Sequence, residues 1–466
     1  MHLNQTEVIP LTAMTHSKDR FQLYQRILGE RPEYLTAIRK TEESIRPEFD
    51  TRLYLYTMAP ALTEFVNWVL DEAVRTGKKR LYFLSRDGYQ MYLTACKLTK
   101  LRELEVECRY LHVSRYSMRV PSYHLELGNC LDLICVGGID VTLEKILRRA
   151  DLTEAETSDV VSSIGWENRF RNILNYRQIL ELKQTLMCQE KLLDYIEQHS
   201  RAEYDNAMGY LTQEGLLSEE PYAIVDSGWV GTLQKSVETL VHSKKPDIRV
   251  EGYYFGLYEL PQKADIHAYH AWYFTPGSGL QRKACFSNSL FETICSAEEG
   301  MTLGYYFDKG KFVPRMEQTG NPNSAQMRRN MEALEVFLEY YCVQGAHASQ
   351  ERISSLRLVQ RLFDAFMASP TETELEAYGD NLFSDDLLGR SLKKTAAELT
   401  HEQICDQRFF SKLLILSGIK KADIRESAWI EGSIVRCGRN RKSSLRHARF
   451  YKYFVYARKQ IRSGKK

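Results

Sequence analysis

Twice in this chain an apolar run of strand length stops at an aspartate and a glycine and gives way to helix. The first is "RLYFLSRDGY", residues 80–89, in which Leu81 to Leu84 form the run and Tyr89 to Leu98 continue with helical spacing. The second is "YAIVDSGWVGTLQ", residues 222–234, in which Ala223 to Val225 end at Asp226 and "SGWVGT" leads into an amphipathic helix. Each helix is followed by another strand pattern, "VECRYLHVS" and then "RVEGYYFGLY". Strand–helix–strand, repeated, predicts an α/β fold with a mostly parallel sheet and helices on its faces. Ligands of such sheets collect at the carboxyl ends of the strands, so the residues placed there carry the functional question.

Around this core the patterning divides the 466 residues into regions. Residues 1–77 read as helical, with Leu55, Met58, Leu62, Phe65, Val66, Val69 and Leu70 at helical spacing and Gly77 as a stop. Residues 78–310 hold the α/β core. Its stretch 120–220 is too long for a loop and reads as an inserted helical subdomain. After Leu260 the chain reads as irregular, with a turn at "DKGK". Residues 311–435 are helix-rich, and 436–466 form a distinct tail with twelve Lys or Arg and no Asp or Glu.

Bulk properties exclude several classes. Ten cysteines lie between Cys96 and Cys437 without a C-x-x-C pair, which predicts reduced, mostly buried thiols of a cytoplasmic protein and no structural metal. No apolar run suits a signal peptide or a membrane span. A net charge of +2 does not suggest a nucleic-acid binder.

Three strand ends offer chemistry: Arg86 and Asp87, then Ser114 and Arg115 in "YLHVSRYSMR", then Asp226. If the strands are neighbours, two guanidiniums and two carboxylates converge. Arginine suits bidentate recognition of phosphate oxygens, and a carboxylate can hold a sugar hydroxyl, a metal or a proton. Behind Asp226, the segment Ser227, Gly228, Trp229, Gly231 and Thr232 offers a small-residue loop at a helix start, an arrangement favourable to anions. Trp229 and Gln234 are candidate pocket walls, and Glu292 in "LFETICSAEEG" is a second candidate base. Each has a structural reading as well: Asp87 and Thr232 as helix caps, Arg86 solvated, Trp229 as a packing anchor, Glu292 in an ion pair.

The loop after Asp226 is neither a Walker A loop nor a dinucleotide fingerprint. It resembles the acidic, glycine–threonine loop of phosphoribosyltransferases, with one acidic residue in place of a pair and a shorter interval. With "RLYFLSRDGY", "YLHVSR", "GYYFGLY" and "LFETICSAEEG", it resembles the glycan-directed phosphoribosyltransferase module of bacterial dual-domain ribofuranosyltransferases, over roughly residues 50–310. That resemblance implies transfer of a phosphoribosyl group from 5-phosphoribosyl 1-diphosphate to a glycan acceptor, lipid-linked, during surface-polysaccharide assembly. Mg²⁺ is expected with the diphosphate donor. The haloacid-dehalogenase-like phosphatase half is not seen in this sequence, so a separate phosphatase is expected unless the 5-phosphate is retained. Alternatives are a transferase using another phosphorylated or nucleotide-sugar donor, and a non-catalytic assembly protein of the same pathway.

The tail 436–466 interleaves its basic residues with Phe450, Tyr451, Tyr453, Phe454 and Tyr456. Such a segment can lie on an anionic membrane, pack its aromatics on the domain, or bind RNA. No recognised nucleic-acid module accompanies it. A cytoplasmic protein, peripheral on the inner face of the cell membrane, is the expectation.

Overall fold

The computed structural model describes residues 11–138, 140–344, 352–384, 392–417, 419–420, 422 and 424–463. Five parallel strands form the central sheet: β1 (Arg80–Leu84), β2 (Glu107–Leu111), β3 (Tyr222–Trp229), β4 (Glu251–Leu257) and β5 (Tyr269–Phe274), in the order β2-β1-β3-β4-β5. The predicted α/β class holds. The sheet is wholly parallel, and β4 is buried along its entire length, as a strand covered on both faces must be. The chain leaves β1 toward β2 on one side and β3 toward β4 on the other. A crevice therefore opens between the carboxyl ends of β1 and β3.

Side chains alternate across the sheet with period two. Leu81, Phe83, Ala223, Val225 and Phe255 face one core, where the almost fully buried helix Phe49–Arg75 lies. Phe65 of that helix meets Phe255 and Trp272 with ring centroids 5.4 and 6.1 Å apart. Tyr82, Leu84 and Ile224 face the second core, filled by Met208 and Leu211 from helix Glu190–Glu214 and by Val237 and Leu240 from helix Thr232–His242.

The region boundaries blur in three dimensions. Helices from 11–77 and from 311–435 contribute to the same core as the sheet. The insertion has its own core, with Leu143, Ile146, Leu182 and Ile196 among its members, while the second half of helix Glu190–Glu214 packs on the sheet. Two expectations need correction. The stretch after Leu260 contains β5, a fifth strand reached from β4 without an intervening α-helix. Only Cys130, Cys135, Cys285 and Cys295 are buried; Cys188 is exposed and the other five are half-buried on element surfaces. The "DKGK" turn does join a hairpin, β6 (Thr302–Asp308) and β7 (Lys311–Met316), which lies on helix Glu190–Glu214. The tail forms helix Arg441–Ser463. No described helix is long and apolar enough to cross a membrane.

Gly88 lets the loop after β1 fold back on its own strand. A Cβ there would lie 2.4 Å from the Leu84 carbonyl oxygen and 2.8 Å from its nitrogen, both immovable backbone atoms. Gly88→Ala is expected to cost about 1–3 kcal/mol in urea unfolding. Gly128→Ala, exposed and without neighbours, is expected to stay within about 0.5 kcal/mol of the parent.

Candidate active site

Asp87, Asp226 and Glu292 converge where β1 and β3 end. Asp226 lies within β3, opposite Tyr254 of β4, and Asp87 follows β1 by three residues. Ser227 donates a 3.0 Å hydrogen bond to Asp87 Oδ2, tying the two strand ends together. Glu292 arrives on the short helix Asn288–Cys295, whose position is set by the buried Gln90. Gln90 accepts from the Tyr54 hydroxyl at 2.7 Å and donates to the Ile294 and Ser296 carbonyls at 3.1 and 3.0 Å. Gln90, in the helix Tyr89–Leu101 that follows the β1 loop, thus joins that helix to the central helix and to the Glu292 helix. The Trp229 indole N–H donates to Glu292 Oε1.

The three carboxyls keep part of their surface open to solvent but are ringed by protein and by each other. Burial and then the Asp87 charge push Asp226 up to about 8. Burial and Asp87 push Glu292 up to about 7, against the pull of Trp229, Arg115 and Arg86. Burial also raises Asp87, although Arg86, Ser227, Arg115 and Ser296 favour its ionised form. Like charges this close do not all ionise together near neutrality, and their protons are shared by the cluster.

Arg86 and Arg115 provide the cations felt by these carboxyls, and among the described residues neither is in an ion pair. Arg86 has φ +68°, a strained value for a non-glycine residue, and its N–H donates to the Tyr110 hydroxyl at 2.7 Å. Tyr110 on β2 therefore holds the β1 loop in place. Arg115 is exposed at the start of helix Arg115–Arg119, whose Ser114 and Ser117 form a reciprocal cap.

Several predicted ligand contacts are structural instead. Gln234 is 1% exposed; its amide nitrogen donates to the Val250 and Ala268 carbonyls and its oxygen accepts from Tyr254. Both of its N–H groups are committed and burial closes the side chain off from solvent. Gly228 belongs to β3, paired with Gly256, and a Cβ there would lie 2.3 Å from the Gly256 oxygen. The predicted five-residue loop thus shrinks, because strand pairing continues through Trp229. Gly231 caps the next helix at φ +72° against the Tyr269 ring. Ser227 is buried and orients Asp87. Trp229 is a packing anchor among Phe286, Phe291 and Phe274, with its N–H committed to Glu292.

The residue that sequence reasoning missed is Arg119. It is 4% exposed, and its Nη2 donates to Thr232 Oγ1 at 2.9 Å. Its Nε has no partner among the described residues. Burial and the neighbouring Arg115 and Arg149 push it down to about 10. A buried guanidinium with no carboxylate partner among the described residues, beside a helix start that Gly231 leaves without a side-chain cap, makes a strongly anion-seeking corner. The signal was present: Arg119 follows Arg115 by four residues, one helical turn on the same face.

These shifts carry a stability signature. Asp226 binds its proton more tightly folded than unfolded, so native stability declines as pH rises from about 4, its ordinary range, through about 8. Asp226→Asn has no such proton to lose. By thermal melting the variant is expected to exceed the parent at pH 8.5 by about 1–4 °C, with the gap closing toward pH 5.

No protein-family model matches this chain and no curated protein matches it, so function is argued from these residues and their geometry.

Proposed function

We propose that this chain is a glycosyltransferase of the phosphoribosyl type, moving a phosphoribosyl group from 5-phosphoribosyl 1-diphosphate to a hydroxyl of a glycan acceptor. The observation that carries this reading is the meeting of Asp87, Asp226 and Glu292 with Arg86 and Arg115 at the reversal of strand order. Such a transfer needs cations for a departing diphosphate, a base for the acceptor hydroxyl and a grip on the sugar.

The bond between the anomeric carbon and the diphosphate oxygen breaks, and pyrophosphate leaves toward Arg86 and Arg115. A bond from the acceptor oxygen to that carbon forms, and the acceptor proton passes to Glu292. A carboxylate poised near 7 matches that task at neutral pH, because it is free to accept and still basic enough to do so. Asp226 is assigned to the ribose hydroxyls, since a carboxyl that is largely protonated near neutrality can both donate and accept. Arg119, Thr232 and the free amides that open helix Thr232–His242 are assigned to the 5-phosphate.

Mg²⁺ fits this arrangement as a partner of the diphosphate. Among the described residues no group of three or more ligand side chains is set to hold a metal unaided. The mutual repulsion of the carboxyls is nevertheless what a shared cation would relieve, and Mg²⁺ commonly takes one or two carboxylates together with substrate phosphates. It would neutralise charge on the leaving diphosphate; Asp87 is the residue assigned to face it. The acceptor is assigned to the lipid-linked class, with the enzyme at the cytoplasmic face of the membrane and a separate phosphatase acting afterwards.

Pyrophosphate release from 5-phosphoribosyl 1-diphosphate with candidate glycan acceptors tests this reading. Arg86→Ala and Asp226→Asn, folded by circular dichroism, are each expected to lose about 10²-fold or more in kcat/KM. Full activity in both would remove the site. The parent's kcat/KM is expected to rise with pH through about 7 as the base loses its proton. Glu292→Gln should abolish that rise and lower the rate by about 10²–10⁴-fold. Arg119→Met is expected to raise KM for the donor far more than it lowers kcat.

A further inference from the structure

Helix Arg441–Ser463 has two unlike faces. On the side toward the rest of the chain its basic residues are paired: Lys452 with the buried Glu431 at 2.8 Å and, at more exposed positions, Lys459 with Glu259 at 3.8 Å and Arg441 with Glu372. Tyr456 on the same side stacks on Tyr258 with ring centroids 5.0 Å apart. Tyr258 in turn lies 6.1 Å from Trp229, so two aromatic rings separate this helix from the residue that holds Glu292.

The outward face carries Lys442, Arg446 and Arg458, none of which is in an ion pair among the described residues, while Arg449 at its flank turns to the Ala368 carbonyl and the Ser369 hydroxyl. Between them, at helical spacing, stand the exposed rings of Phe450, Tyr453 and Phe454. The structure adds a second element that the tail's composition did not reveal. Helix Phe409–Leu416 docks beside the tail through Phe409, whose ring lies 4.7 Å from Phe450 and 5.3 Å from Phe454. Beyond that contact, Phe410 stands 71% exposed and Ile419 74% exposed, with Leu414 and Leu416 also on the surface. Residues 409–420 contain no Asp or Glu, and neither does the tail helix. Lys412 and Lys420 of this segment are turned to Glu426 and Asp406.

We propose that Phe410, Leu414 and Leu416, together with Phe450, Phe454 and the unpaired cations of the tail helix, form a docking face for an anionic lipid bilayer. The two chemistries belong together at such a surface: apolar side chains enter the acyl boundary while the cations remain with the headgroups. Charge selects lipid over a second copy of this chain, because a symmetric pairing would set unneutralised cations against cations. The aliphatic side chains select lipid over single-stranded RNA, whose bases stack on aromatic rings and leave Leu414, Leu416 and Ile419 uncovered. This docking is independent of the reaction assigned above.

Flotation of the full chain with vesicles tests it, using phosphatidylcholine alone and phosphatidylcholine mixed with phosphatidylglycerol. The parent is expected to float with the mixed vesicles only and to be released by high salt. Lys442→Gln, Arg446→Gln and Arg458→Gln combined should weaken binding about a hundredfold. Phe410→Ser with Leu414→Ser, at exposed positions that spare the Phe409 contact, should weaken it about tenfold or more, with both variants folded by circular dichroism. The proposal is overturned if the parent stays unbound at low salt, or if both variants float as it does. It is equally overturned if the parent ignores vesicles but sediments as a dimer that the serine pair dissolves. Binding to single-stranded RNA that competes with vesicles and is unaffected by the serine pair would also overturn it.

Discussion

The side-by-side pairing of β1 and β3 is the constraint on which the candidate site depends. Arg80 to Phe83 run in register with Tyr222 to Val225, so that the next residues of both strands emerge at one level. Parallel pairing brings Asp87 and Asp226 to the same edge, and the reversal of strand order clears the space above them. Burial raises each carboxyl first, and Asp87 is the largest charge acting on Asp226 and on Glu292.

Holding three carboxyls together opposes folding, and the surrounding architecture supplies the restraint. Gln90 ties three segments with buried hydrogen bonds, and leaving any of those partners unsatisfied is costly. Tyr110 fixes the left-handed backbone of Arg86, and Ser227 bridges to Asp87. Arg119 is buried next to Thr232 with no carboxylate partner among the described residues. Carboxyls that raise one another's proton affinity thus stand at the strand ends, and a guanidinium with no carboxylate partner among the described residues stands beside the next helix start. Such clusters of perturbed groups cost stability to hold together.

The outer surface repeats the theme at lower cost. Lys452 and Lys459 of the tail helix are paired with glutamates, and among the described residues Lys442, Arg446 and Arg458 are in no ion pair. The same helix that offers this face to its surroundings packs Tyr456 against the aromatic group that supports Trp229. Site and surface are therefore parts of one packed unit.

The sequence by itself determined the local features: the strand runs ending at Asp87 and Asp226, the helices that follow them, and the cationic, aromatic tail. These are legible because they depend on contacts within a few residues, where a period of two or 3.6 leaves a direct trace. Only the tertiary structure decided which strand ends meet, that Glu292 joins them through Gln90, that Arg119 bonds Thr232 at a helix start, and that Gln234 is turned into the interior rather than lining a pocket. It alone showed that aromatic residues 269–274 form a fifth strand, and that Phe410 and Leu414 extend the tail's surface. Those outcomes rest on strand order and on packing between segments tens to hundreds of residues apart. A glutamine that closes three internal hydrogen bonds and one that greets a ligand look identical in a linear chain.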